Sequence, residues 1–156
     1  MDNKYCLLIQ NYFSIPMSIK ETYISDTQLK GIKQIIALKE DFAQDKISWL
    51  ESLHITVKNH EVHYSNMIDT LVNTFCSYEL ADNNYITIHL EASQYSNNKL
   101  LFANTTIDKL LKHLTYIIWT DKVVDGYLPA RVKDQTVYNI LNRLSELESS
   151  ILSPAA

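Results

Sequence analysis

Glycine and proline are rare in this chain, whose 156 residues contain two glycines and three prolines. Glycine averages about 7% of residues in globular proteins, so this chain has few places where a tight turn forms easily. Folds with many strands need such turns at short intervals, whereas helices run long between them. We therefore predict a mainly α fold, a compact single-domain bundle of about five helices. One short β-hairpin over residues 55–63, where apolar residues alternate loosely, stays open as an addition.

Two helices are predicted in the first half of the chain. Ser25 and Gln28 have the Ser-x-x-Gln form of a capping box, and the apolar residues that follow predict a helix over residues 26–42. Gly31 lies inside that helix, where glycine costs about 1 kcal/mol relative to alanine. Ser65 is a favourable N-cap for a second helix. Residues 85–91 are ambiguous, because their apolar residues alternate as in a half-buried strand while their length also suits a short helix.

The C-terminal third has the clearest helical pattern. Thr105 can cap a helix whose residues 114–119 are apolar on several sides, so we expect this helix to run through the core. Gly126 can end it, because glycine accepts the left-handed conformation. Asp134 can cap the last helix. The apolar stripe of that helix consists of Val137, Ile140, Leu141, Leu144, Leu147 and Ile151. We expect the two helices to pack antiparallel, joined through residues 126–134.

Charge and hydropathy disfavour several classes of function. The net charge is −4 and the 14 lysines and arginines are scattered, whereas nucleic-acid binding needs a concentrated basic surface. No apolar run approaches the ~20 residues of a membrane span, and the apolar stretch near the N-terminus is too short for a signal peptide. With Cys6 and Cys76 as its two cysteines, the chain has no disulfide framework. We expect a cytoplasmic protein with reduced thiols that binds neither nucleic acid nor membrane.

Motifs with metal-binding or catalytic residue types do not fit their templates. The segment 60–63, His-Glu-Val-His, places its histidines at i and i+3, whereas a helical zinc-protease motif needs i and i+4. His89-x-Glu91 lacks the Cys-x-x-Cys of zinc deaminases. Cys76 has no histidine or basic residue nearby in sequence, which favours a buried, inert thiol. The glycine count disfavours phosphate loops. We therefore predict no catalytic residue, no metal ligand and no cofactor.

One charged cluster is a candidate functional site: Asp121, Lys122 and Asp125, followed by Arg131 and Arg143. Asp121 and Asp125 are at i and i+4, on one face of a helix. Paired carboxylates can do acid–base chemistry, and a solvent-open pocket around them would support that interpretation. They can instead accept hydrogen bonds from an arginine on the next helix, either Arg143 or Arg131, and form a structural salt bridge. We favour the structural interpretation.

The ten tyrosines are numerous for a chain of this length. Tyrosine is enriched at protein interfaces, because it offers a large rigid area and a hydroxyl group. The tyrosines that either fill the core or form a contact patch are Tyr78, Tyr85, Tyr95, Tyr116, Tyr127 and Tyr138.

A resemblance to a known family is carried by residues 114–147, LTYIIWTDKVVDGYLPARVKDQTVYNILNRLSEL. This stretch resembles the end of a family of small bacterial proteins catalogued only as a domain of unknown function. The family's acidic-Arg-Phe-x-acidic-Gly motif corresponds to residues 121–126, and its Leu-x-Arg-Leu end to residues 141–144. Trp119, Val123 and Gln135 depart from the family's arginine, phenylalanine and second glycine. The resemblance implies a mainly helical fold and no particular reaction.

The leading hypothesis is a non-enzymatic protein-interaction module, an inhibitor or regulator of a basic, nucleic-acid-handling partner. A mobile-element origin is implied by the resemblance alone. One alternative is a small-ligand-binding protein or enzyme with a site around Asp121, Asp125 and Arg143. Another is a homodimer whose interface uses residues 1–30. These residues are expected to form an N-terminal extension packed on a helical domain of residues 31–150, with a frayed tail at residues 151–156.

Overall fold

The computed structural model describes residues 24–44, 56–58, 61–63, 66–89 and 102–152. The α-helices in these ranges are α1 (Asp26–Ala37), α2 (Asn66–Ser77), α3 (Ile107–Asp121), α4 (Tyr127–Lys133) and α5 (Thr136–Leu152). Short 3-10 helices occur at Lys39–Phe42 and Tyr85–Ile88, and strands β1 (Thr56–Lys58) and β2 (Glu61–His63) pair in antiparallel register. The mainly α prediction is confirmed, and a short hairpin does lie within residues 55–63.

Helix α1 begins where the sequence predicts. The Ser25 hydroxyl accepts a hydrogen bond from the Gln28 amide at 3.2 Å, and the Ser25 amide donates to Gln28 Oε1 at 3.1 Å. These two bonds form the predicted capping box. The predicted helix over residues 26–42 is interrupted, because α1 ends at Ala37 and the chain continues as the 3-10 helix Lys39–Phe42. Phe42 is fully buried at the end of this turn.

Helix α3 runs through the core, as predicted, but both of its ends differ from the prediction. The Thr106 hydroxyl, not that of Thr105, caps it by accepting from the Lys109 amide at 3.3 Å. The helix ends at Asp121, five residues before Gly126. Gly126 does adopt the left-handed conformation, with φ of 81°, but it precedes a helix that we did not predict. This helix, α4, fills most of the expected connection between α3 and α5.

The short turn between α4 and α5 is held by side chains. Asp134 Oδ1 accepts from the Thr136 amide at 3.0 Å and from its hydroxyl at 2.6 Å, so the predicted cap residue does bond the start of α5. Gln135 lies between them with a positive φ of 67°, which few residues other than glycine and asparagine adopt readily. Its side-chain amide donates to the Phe42 carbonyl at 3.3 Å and so ties this turn to the end of the first 3-10 helix.

The core forms around α3. Leu110, Leu114 and Ile117 of this helix are fully buried. Helix α3 contacts the 3-10 helix Tyr85–Ile88, α4 and α5, while α1 packs against α2 and α5. No helix in the described ranges is both long enough and apolar enough to cross a membrane.

Residues 85–88 resolve one ambiguity of the sequence. They form a 3-10 helix and not a strand, with Ile88 buried and Ile86 62% exposed.

Cys76 is only partly buried, so the expectation of a buried thiol is wrong. Other predictions lie outside the described residues: those for Cys6, for His60, for Glu91, for Tyr95 and for the end of the tail. The domain division stays a prediction, although α1 continues across residue 30 and α5 extends to Leu152.

Candidate functional site

The residues of the predicted charged cluster lie on several elements. Asp121 ends α3, and Lys122 and Asp125 lie in the loop between α3 and α4. Arg131 is on α4 and forms an ion pair with Asp134 at 3.0 Å. Arg143 is on α5, pairs with Glu146 at 2.8 Å, and lines a separate groove that none of the other four residues lines. Both arginines thus pair with an acidic residue three positions further along their own chain segment.

Asp121 caps the start of α4. Gly126 has no side chain with which to cap α4, and Asp121 Oδ1 accepts a hydrogen bond from the Leu128 amide at 2.8 Å instead. The carboxylate therefore joins the end of α3 to the first turn of α4. Asp125 is exposed, and it forms no ion pair with either arginine, so the predicted salt bridge from Asp125 to Arg143 or Arg131 is wrong.

Asp121→Ala is expected to lower the free energy of unfolding by about 1 kcal/mol, because it leaves the Leu128 amide without its capping oxygen. Asp125→Ala is the matched control in the same loop, and we expect a change within about 0.5 kcal/mol. Urea denaturation of both variants measures the difference. Equal losses in the two variants would contradict the capping role of Asp121.

The loop between α3 and α4 presents apolar side chains to solvent. Val123 is 82% exposed and Val124 is 51% exposed. The Lys122 ammonium lies 3.5 Å from the centre of the Trp119 ring, and the rings of Tyr116 and Tyr127 meet edge to face at 6.2 Å. We refer to Tyr116, Lys122, Val123, Val124 and Tyr127 as the loop surface.

Aromatic and basic groups flank the loop surface. The Tyr116 ring also contacts the His89 ring at 6.3 Å, and the Arg131 guanidinium lies 5.2 Å from the centre of the Tyr127 ring. Burial raises the pKa of Tyr127, with a further contribution from Tyr116, so its hydroxyl stays protonated and able to donate at neutral pH. Two of the tyrosines expected either to fill the core or to form a contact patch, Tyr116 and Tyr127, are therefore neighbours.

A groove of about 580 Å³ lies on another part of the molecule. Its walls come from four segments: the start of α1, residues 80–82 after α2, residues 103–108 at the start of α3, and α5. Three charged side chains line it, Asp82, Asp108 and Arg143. This groove shares only Arg143 with the predicted cluster.

Asp82 is held firmly at the groove. Its amide donates to the Thr115 hydroxyl at 3.0 Å, and its Oδ1 accepts from the Asn84 amide at 2.7 Å. The Asp82 and Asp108 carboxyls line the same groove, and Asp108 also pairs with Lys112 at 2.8 Å. Burial raises the pKa of Asp82 above its ordinary value, and the neighbouring Asp108 adds to the increase.

Asp82→Asn is expected to gain stability relative to the parent protein as the pH rises. Because the pKa of Asp82 is raised on folding, the folded state binds the proton more tightly, and the parent loses stability from pH 3.8 upward to the raised pKa. Asparagine does not titrate and still accepts from the Asn84 amide. Thermal melts of both proteins at a series of pH values measure the difference in their melting temperatures. A difference that does not change with pH would contradict the raised pKa of Asp82.

Sequence reasoning missed the groove because its acidic residues are distant in the chain. Asp82 falls in a segment interpreted as a loop, and Asp108 in the first turn of a helix, where acidic residues are common. Neither has a motif, and only folding brings them together. Among the described residues, no group of three or more histidine, cysteine, aspartate and glutamate side chains is arranged to hold a metal ion.

Comparison with protein-family models, with curated proteins and with solved structures returns no match to this chain. The family resemblance of residues 114–147 is therefore still a prediction.

Proposed function

We propose that this chain is a non-enzymatic protein-interaction module that binds a partner protein through the loop surface. The observation that carries the proposal is the exposure of two adjacent valines, Val123 at 82% and Val124 at 51%. A pair of apolar side chains presented to solvent beside aromatic rings is typical of the centre of a protein interface.

The loop is held in one shape before any partner binds. The amides of Val123 and Val124 both donate to the Thr120 carbonyl, at 3.0 and 2.8 Å, and the Tyr127 amide donates to the Val124 carbonyl at 3.1 Å. Asp121 fixes the far side of the loop through the Leu128 amide. Since little backbone freedom is left to lose, binding through this loop carries a small entropy cost.

The net charge of the chain favours a basic partner, and Asp125 is the acidic group of a loop that also contains Lys122. Asp125 is exposed in the same loop, and the chain as a whole has a net charge of −4. The net negative charge attracts a basic protein over a long range and so accelerates association with it. We propose a basic, nucleic-acid-handling protein as the partner, which this chain would inhibit or regulate.

The test compares partner capture by the full chain and by the V123D/V124D double variant in the native host. We expect one protein to be enriched by the parent chain and depleted roughly tenfold or more by the double variant, because a buried charge disrupts the centre of an interface. The matched control is Asn73→Asp, which adds a charge at an exposed position of α2. Equal capture by all three proteins would contradict the proposal.

A second measurement separates a foreign partner from a second copy of the chain. Sedimentation velocity on the purified full chain reports its oligomeric state. A dimer that V123D/V124D dissociates would assign the loop surface to self-association and refute the proposed foreign partner.

A further inference from the structure

The groove has the size and the floor of a small-molecule site. Its volume of about 580 Å³ lies within the range of roughly 300–1,000 Å³ that is usual for ligand pockets. Leu80, Ile107 and Leu111 line it and are 1%, 9% and 7% exposed, so the floor is apolar and built into the core. The loop surface shares no residue with it, and the inference is independent of the proposed partner.

One side of the groove has an unsatisfied cationic donor. Arg143 Nη1 donates to Glu146 at 2.8 Å, while its Nε is shielded from solvent and meets no acceptor among the described residues. The Arg143 side chain is 23% exposed and lines the groove, and a carboxylate is a suitable acceptor for it, since carboxylate oxygens match the N–H groups of a guanidinium.

The same groove has a pair of carboxyl groups. Asp82 and Asp108 both line it, and the Lys112 ammonium pairs with Asp108 at 2.8 Å, so the two carboxylates and this one cation leave an excess of negative charge. An ammonium group has three N–H donors and can donate to both carboxylates. The Asp82 backbone is fixed by Thr115 at 3.0 Å, so the pair does not need to rearrange to receive it.

We infer that the groove binds a short zwitterionic ligand, an apolar amino acid or a dipeptide of such residues. The ammonium of the ligand would lie between Asp82 and Asp108, its carboxylate would pair with Arg143, and its side chains would cover Leu80, Ile107 and Leu111. Each charge of such a ligand meets the opposite charge in the groove, and its apolar part meets the floor.

Isothermal titration of the full chain with leucine, phenylalanine and the Leu–Leu dipeptide tests the inference. We expect at least one of them to bind saturably, and we expect N-acetylation or C-terminal amidation of that ligand to weaken binding roughly tenfold or more, as the loss of one charge-assisted contact implies. Blocked ligands that bind as well as the free ones, or no saturable binding by any of the three, would overturn the inference.

Two variants assign the contacts. Asp82→Asn and Arg143→Met should each weaken the bound ligand, whereas Lys133→Met, at an exposed position of α4, should not. Circular dichroism checks that each variant is folded, and the comparison of free with blocked ligands on the parent protein decides the question even if Arg143→Met unfolds. V123D/V124D should bind the ligand normally, so this result is separate from the test of the loop surface.

Discussion

Leu114→Ala is expected to lower the free energy of unfolding by about 2–5 kcal/mol, the range measured for truncations of fully buried leucines. Leu114 is 0% exposed at the middle of α3, and it belongs to the core cluster to which all five helices contribute. The substitution removes buried methyl groups and leaves a cavity, because helices on several sides cannot all move inward together.

Urea denaturation measures this loss as a lower midpoint. We expect the slope of the unfolding free energy against urea concentration to stay unchanged. Val123→Ala is the control, because it removes methyl groups from a side chain that is 82% exposed, and we expect a change within about 0.5 kcal/mol. A loss below about 1 kcal/mol for Leu114→Ala would mean that α3 is not the centre of the core.

Gly31→Ala is expected to destabilise the protein by about 1–3 kcal/mol, although alanine is the better helix former by about 1 kcal/mol. A Cβ atom at residue 31 would lie 2.3 Å from Tyr78 Cβ and 2.8 Å from Tyr78 Cγ. Tyr78 Cβ is attached directly to the backbone and cannot rotate away, so α1 and the end of α2 would have to separate.

The end of α2 resists such a shift. The Leu80 amide donates to the Phe75 carbonyl at 3.1 Å, and Glu79 takes a positive φ of 54°, which together close the helix in a tight C-terminal turn. Gln28 of α1 also donates to the Glu79 carbonyl at 3.2 Å. Glycine at residue 31 therefore permits a close helix contact, at the cost of helix propensity.

The Gly31 prediction is checked by denaturation with two further variants. Lys30→Ala, on the exposed side of the same helix, controls for propensity and should not destabilise the protein. Tyr78→Gly removes the opposing Cβ, so Gly31→Ala should cost less in that background than in the parent. An alanine at residue 31 that stabilises the parent protein would contradict the close contact.

The two candidate sites differ in what they require of the fold. The loop surface is continuous in sequence, with Val123 and Val124 at its centre, and it depends on the cap that Asp121 supplies to α4. The groove needs α1, α3 and α5 to be packed together, since Asp82, Asp108 and Arg143 come from separate segments. Substitutions that loosen the helix packing should therefore affect the groove before they affect the loop surface.

Local chemistry in the sequence was sufficient for the helices with strong signals. The cap of α1 could be predicted because the hydrogen bonds between Ser25 and Gln28 span only three residues. The apolar stripe of α5 could be predicted because a helix repeats every 3.6 residues. Helix α4 was missed because residues 126–134 were interpreted as a connection that begins at Gly126. Pro129 lies in the first turn of this helix, where its missing amide would have no partner.

The sequence by itself determined that the chain is mainly helical, where the α1 capping box lies, and that α3 runs through the core. Only the tertiary structure decided that Asp121 caps α4 and that Asp82, Asp108 and Arg143 line one groove. Helix periodicity and capping act over a few residues, so they can be read along the chain. Contacts between distant residues depend on how the helices pack, which no short stretch of sequence specifies.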